Sequence, residues 1–166
     1  MADKKQKILI VDDSEMNRDI LAVMLGSDYE ILDAENGLEA IAILQQGMTD
    51  IDLILVDIMM PEMDGFDVLG FMKRSHMTEV IPVIMISSES SSSYIEKAYE
   101  MGAADYISRP FNALIVGRRV INTLMLYAKQ KRLVQMVADQ VYEREKNNDM
   151  MVNILSHIVE FRNGES

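Results

Sequence analysis

Residues 53–65 read Leu53-Ile54-Leu55-Val56-Asp57-Ile58-Met59-Met60-Pro61-Glu62-Met63-Asp64-Gly65. Four apolar side chains run unbroken into an aspartate, and a turn bounded by proline and glycine follows. A run this short and this branched reads as a strand buried on both faces rather than as a helix. Similar runs occur at Ile8 to Val11, Val83 to Ile86 and Ala104 to Ser108, with a weaker one at Tyr29 to Ala34.

Helix-length segments separate these runs. Ser14 to Leu25 has Ser14 as its N-cap and Gly26 as its stop. Leu38 to Gln46 follows Asn36-Gly37 and ends at Gly47. Phe66 to Arg74 follows Asp64-Gly65, Tyr94 to Met101 ends at Gly102, and a last helix starts near Asn112. The order is βαβαβαβαβ and then helix. Such alternation implies an α/β fold, a parallel sheet with helices on both faces, because each parallel crossover needs a covering segment. Ligands of such sheets bind beyond the carboxyl ends of the strands.

Those ends carry the chemistry. The first strand ends in Asp12-Asp13, the third in Asp57, the fourth in Ser87-Ser88 and the fifth in Ser108-Arg109-Pro110. Three converging carboxylates raise one another's pKa, and a divalent cation relieves that cost. An all-oxygen donor set suits a hard ion such as Mg²⁺, which pairs one or two carboxylates with a phosphate oxygen. Phosphoryl transfer onto a carboxylate fits this set. Taken singly, Asp12-Asp13 reads as a helix cap, Asp57 as a turn former and Ser87 as a cap. Their joint placement at matched strand ends favours a site.

Composition removes other classes. The chain has 166 residues and no cysteine, so thiol catalysis, disulfides and thiolate metal sites are out. His76 and His157 are its two histidines, too few for a multi-histidine metal centre. The net charge is −11. Residues 1–110 hold 8 Lys/Arg against 21 Asp/Glu, while residues 111–166 hold 8 against 6. An acidic body repels nucleic acid and anionic membranes, so neither is an expected direct partner. Ile8-Leu9-Ile10-Val11 is too short for a signal h-region, and no apolar run nears the roughly 20 residues of a membrane span. A soluble cytoplasmic protein is expected.

The sequence resembles the receiver domain of two-component response regulators. The likeness rests on Ile8 to Asp13, Leu53 to Gly65, Ile81-Pro82-Val83-Ile84-Met85-Ile86-Ser87, and Gly102-Ala103-Ala104-Asp105-Tyr106-Ile107-Ser108-Arg109-Pro110-Phe111, and it spans about residues 6–125. It implies a flavodoxin-like five-stranded parallel sheet in the order 2-1-3-4-5 with five helices. It also implies that Asp57 is the phosphoacceptor, attacking a phosphohistidine of a sensor histidine kinase or phosphotransfer protein. Asp13 and Asp57 then ligate Mg²⁺ with the Met59 backbone carbonyl, and Asp12 acts through water. Ser87 hydrogen-bonds the phosphoryl group, and Tyr106 is the aromatic that moves with it. Such a receiver is a signalling module rather than an enzyme; its catalysis is limited to its own phosphorylation and dephosphorylation. Met59 and Glu89 stand at the positions that tune dephosphorylation.

Arg109 departs from the family, which carries lysine there; its planar fork is not equivalent to an ammonium. This departure keeps open a degenerate receiver that acts as an interaction module without phosphorylation. A Mg²⁺-dependent aspartyl phosphatase of the haloacid-dehalogenase type is a weaker alternative. Its Asp-x-Asp pattern belongs on the first strand, where this chain has adjacent aspartates. The segment Ser87 to Ser93 is Ser-rich and reads as a flexible loop and cap.

Beyond Phe111 there is no strand signal and no proline. The expected division is a receiver over residues 1–125 and a helical linker over 126–166, leading to an effector outside this sequence. A heptad frame places Val120, Tyr127, Val134, Val141, Asn148 and Leu155 at a, with Thr123, Gln130, Val137, Arg144, Met151 and Ile158 at d. That pattern predicts a homodimeric coiled coil through residues 120–145, with a helix folding back as the alternative after Asn147. Residues 150–166 also resemble the helix that leads into HD-type phosphohydrolase modules. His157 would be a lone helical histidine with a structural role.

Overall fold

The computed structural model describes residues 4–46, 50–88 and 92–164. The expected stop at Gly47, the tuning position Glu89 and part of the Ser-rich loop lie outside the described residues. The strands are β1 (Gln6–Val11), β2 (Tyr29–Ala34), β3 (Ile51–Asp57), β4 (Val83–Ser87) and β5 (Asp105–Ser108). The helices are α1 (Glu15–Leu25), α2 (Gly37–Gln45), α3 (Gly65–Arg74), α4 (Ser92–Glu100) and α5 (Ala113–Gly164). All strand pairs are parallel, in the order β2-β1-β3-β4-β5. The chain thus has the expected doubly wound, flavodoxin-like architecture and a long C-terminal helix.

Successive strand side chains point to opposite faces, which divides the core in two. Leu9, Val11, Ile54, Val56, Val83, Met85 and Tyr106 face α2, α3 and α4. Ile8, Ile10, Leu53, Leu55, Ile84, Ile86 and Ile107 face α1 and the start of α5. Every strand of the centre is therefore buried on both sides, which is why the apolar runs show no alternation. Burial of such a side chain stabilises the fold by roughly 1.5–3 kcal/mol.

Caps fix the helix starts. The Ser14 side chain accepts from the Asn17 N–H, and the Asn36 side chain from the Glu39 N–H. Asp64 and Asp67 form a reciprocal capping box at α3. Gly26 ends α1 with φ of 73°, a conformation that glycine adopts without a Cβ penalty. Two short 3-10 turns, Gly26–Asp28 and Met77–Glu79, carry no hydrophobic period and were not expected from the sequence.

The chain forms two compact units, Met1–Tyr127 and Ala128–Ser166. In the first, Val116, Val120, Thr123 and Leu124 of α5 are buried. This corrects the coiled-coil frame: Val120 and Thr123 are core residues, so no seam can begin there. Tyr127 also donates its hydroxyl to the Thr78 carbonyl at 3.3 Å. In the second unit, residues 128–160 are helical and exposed throughout. No helix among the described residues is long and apolar enough to cross a membrane.

Candidate phosphoacceptor and metal site

Register assembles the site. Val11 lies opposite Val56, so Asp12 and Asp57 emerge side by side from the two central strands. Asp57 lies opposite Ile86 and Ser87 opposite Ser108, which brings Ser87 and Arg109 to the same edge. The ladder continues one residue further through Ile58 N–H to Ile86 O at 2.8 Å and Arg109 N–H to Ser87 O at 3.0 Å.

Asp12, Asp13 and Asp57 each offer a carboxylate oxygen, and these lie within 4.8 Å of one another. Asp12 and Asp57 are buried and Asp13 is exposed, so the cluster opens to solvent on one side. The Asp12 carboxylate accepts the Ser14 N–H at 2.8 Å, and Asp57 Oδ1 accepts the Met59 N–H at 3.2 Å. Arg109 Nη2 sits 2.6 Å from Asp57 Oδ2 and 3.3 Å from Asp12 Oδ2. One guanidinium nitrogen therefore bridges both buried carboxylates. Its Nε is buried without a hydrogen-bond partner.

Burial is the main force on the carboxyls. It pushes the Asp57 carboxyl above its ordinary value, and repulsion from Asp13 adds to this, while the Arg109 hydrogen bond and charge oppose it. Burial likewise raises Asp12; the Ser14 N–H and Arg109 oppose the shift, and the charges of Asp57 and Asp13 reinforce it. Both groups thus have reason to welcome a further cation. The three oxygens are hard donors, and among the described residues no histidine joins the cluster, which matches Mg²⁺.

Ser87 is fully buried at the end of β4. Tyr106 is 5% exposed and packs in the core on the α2–α3–α4 side. Met59, two residues after Asp57, is 57% exposed, with its side chain in solvent. Sequence reasoning missed Arg18, a buried cation whose Nη1 donates to the Asp12 carbonyl at 2.6 Å. The signal was present: Arg18 shares the core-facing stripe of α1 with Leu21 and Leu25. Gly65 was read only as a turn residue. A Cβ there would lie 2.5 Å from the Asp57 carbonyl oxygen and 2.8 Å from Ile58 Cα, so α3 starts directly against the Asp57 backbone.

A family model described as the response regulator receiver domain matches residues 8–116. The chain is 40% identical over 121 residues to Histidine kinase P4 of Formosa agariphila, covering 73% of this chain and 9% of that one. It is 34% identical over 166 residues to a Vibrio cholerae protein named Probable cyclic di-GMP phosphodiesterase, covering 96% of this chain and 37% of that one. The chain thus spans well under half the length of these relatives. Among solved structures, a CheY-like receiver domain protein of Methanospirillum hungatei matches with a TM-score of 0.69 and 25% identity, over 76% of this chain and 99% of that one.

Proposed function

The chain belongs to the response regulator receiver domain family, and on that footing we propose that Asp57 is its phosphoacceptor. The observation that carries this reading is the buried Asp57 carboxylate, grouped with Asp12 and Asp13 and bridged by Arg109. Receiver domains are phosphorylated by histidine kinases and bind Mg²⁺ at their acidic pocket. Here Asp13, Asp57 and the Met59 backbone carbonyl would hold the ion, with Asp12 acting through water. When bound, Mg²⁺ offsets the repulsion among the carboxylates and the charge of the incoming phosphoryl oxygens.

In the transfer, an Asp57 carboxylate oxygen attacks phosphorus. The P–N bond of the donor phosphohistidine breaks, its electron pair returns to the imidazole, and an acyl phosphate forms on Asp57. Burial makes this carboxylate the stronger base and nucleophile. Arg109 would follow the charge from carboxylate to phosphoryl oxygen, and its planar fork can grip two oxygens bidentately where lysine offers a point charge. Ser87 supplies a hydroxyl for a phosphoryl oxygen. Its movement would shift Tyr106 and repack the α4–β5–α5 face, a population shift driven by the added charge.

The output reading rests on the helix and the relatives. Val134, Val137, Val141, Met151, Leu155 and Ile158 are exposed apolar residues on the second unit's helix at the a and d positions. A homodimer through this stripe would bury them. A phosphohydrolase as effector is supported by the relative named Probable cyclic di-GMP phosphodiesterase, which matches 96% of this chain; that it is HD-type rests on the likeness of residues 150–166.

Acetyl phosphate with Mg²⁺, followed by intact mass, tests the acceptor. The expected result is a phosphoryl adduct that is absent in Asp57→Ala. Absence of an adduct at saturating donor would overturn the proposal. It would favour the interaction-module reading instead, for which the direct Arg109–Asp57 ion pair is the supporting observation.

A further inference from the structure

A groove of about 410 Å³ lies between α2, α3 and α4, on the sheet face away from α1. Its walls are Met63, Phe66, Phe71 and Met101, and two cations, Arg74 and Lys97, stand over them. A volume of a few hundred Å³ lies in the range of small-molecule sites, and here apolar side chains share the lining with two cations and one acid.

Charge gives the groove its character. Residues 1–110 carry 21 acids and 8 Lys/Arg. Two of those eight, Arg74 and Lys97, line this groove. Lys73 donates to the Glu100 carbonyl at 3.3 Å. Among the described residues, neither Arg74 nor Lys97 makes an ion pair. In a body this acidic, a carboxylate partner for each would have been easy to supply. The groove's own acid, Asp67, accepts the Asp64 N–H at 3.0 Å in the capping box of α3. Lys97 Nζ instead lies 4.2 Å from the centroid of the Phe66 ring, and that ring stacks on Tyr94 with centroids 6.1 Å apart. The cation is thereby held at the mouth on an aromatic floor.

Gly70 keeps the space open from below. A Cβ there would meet Arg74 Nη1 at 3.2 Å and Met101 Cε at 3.6 Å. The bare backbone lets the Arg74 guanidinium come close to α3.

We propose that this groove binds a small amphiphilic anion, an aromatic or aliphatic body with one carboxylate, sulfonate or phosphate. The apolar walls would take the body, and Arg74 and Lys97 the charge. The groove is separate from the Asp57 cluster, so the proposal stands or falls independently of the phosphoacceptor reading.

The test uses the full chain labelled with ¹³C at its methionine methyls. Met63 and Met101 report on the groove, Met59 on the phosphoacceptor, and Met136, Met150 and Met151 on the exposed helix. The probe is naphthalene-1-sulfonate, with neutral naphthalene-1-methanol as the comparison. Saturable shifts at Met63 and Met101 are expected. They should weaken at least roughly tenfold for the neutral compound and for the R74Q/K97Q double variant, since each removes both charge-assisted contacts and one alone is worth about tenfold. Shifts confined to the helix methionines, or none, would overturn the proposal. So would an unchanged half-saturation in a double variant whose remaining methyl spectrum overlays the parent's.

Discussion

Removing Arg109 should loosen the metal-free fold and tighten Mg²⁺ binding at the same time. The guanidinium lies 2.6 Å from Asp57 and 3.3 Å from Asp12, in the space between the two buried carboxylates. It is the resting counter-ion of the pair, and an arriving cation competes with it. At 2.6 Å and an effective dielectric of about 20, the gross attraction to Asp57 is roughly 6 kcal/mol. Desolvation of both ions cancels most of that. The Arg109 side chain keeps 24% of its surface exposed and Asp57 keeps 2%. The pair therefore falls between an exposed bridge, worth about 0–1 kcal/mol, and a broken buried one, costing about 3–5 kcal/mol. A net value of about 2 kcal/mol is the middle of that range, and it corresponds to roughly thirtyfold in an equilibrium constant.

Arg109→Ala should therefore lower stability in chelator by about 2 kcal/mol, read by urea denaturation. Calorimetric titration should show Mg²⁺ bound up to about thirtyfold more tightly, because the displacement cost is gone. Arg109→Lys should fall between the two, since an ammonium is one point charge. Mg²⁺ affinity that is unchanged or weaker in Arg109→Ala would refute the competition.

Asp57→Asn should stabilise the metal-free protein at pH 7. The Asp57 carboxyl titrates above its ordinary 3.8, so as pH rises the unfolded chain ionises first and the folded state loses ground from 3.8 up to the raised value. The variant's advantage should vanish below that window; a parent more stable than the variant at pH 7 in chelator would contradict the assignment. Gly65→Ala should cost at least about 1–3 kcal/mol by denaturation, since the clash at 2.5 Å is with backbone that cannot swing away. Asp64→Ala breaks the capping box and should cost about 1 kcal/mol, with a smaller loss for Asp64→Asn. If the second unit's stripe is a dimer seam, sedimentation should give a dimer, and Val134→Glu with Val141→Glu should dissociate it; a parent that sediments as a monomer at high micromolar concentration would remove that reading.

The strands and their order of appearance were legible because the centre of a parallel sheet needs branched apolar residues on both faces, and Leu53 to Val56 can satisfy little else. Asp12, Asp13, Asp57, Ser87 and Arg109 were legible for a related reason: each stands within two residues of the end of such a run, and strand ends share an edge. The caps at Ser14, Asn36 and Asp64 could also be read locally, since a cap is a bond between near neighbours.

Other features depended on contacts that no local pattern encodes. That Arg109 bridges Asp57 and Asp12 follows from the register of four strands. That Val120 and Thr123 belong to the core, and not to a coiled coil, follows from α5 packing on Ile8, Ile10 and their neighbours, because a helix reads the same whether its apolar face meets a sheet or a second helix. Arg18 on an apolar stripe and Gly65 against the Asp57 backbone took their meaning only from what lies opposite them. The sequence by itself determined which residues would be buried in strands and which chemistry would stand at their ends. Tertiary structure decided which of those groups touch, because contact between residues distant in the chain is set by register and packing.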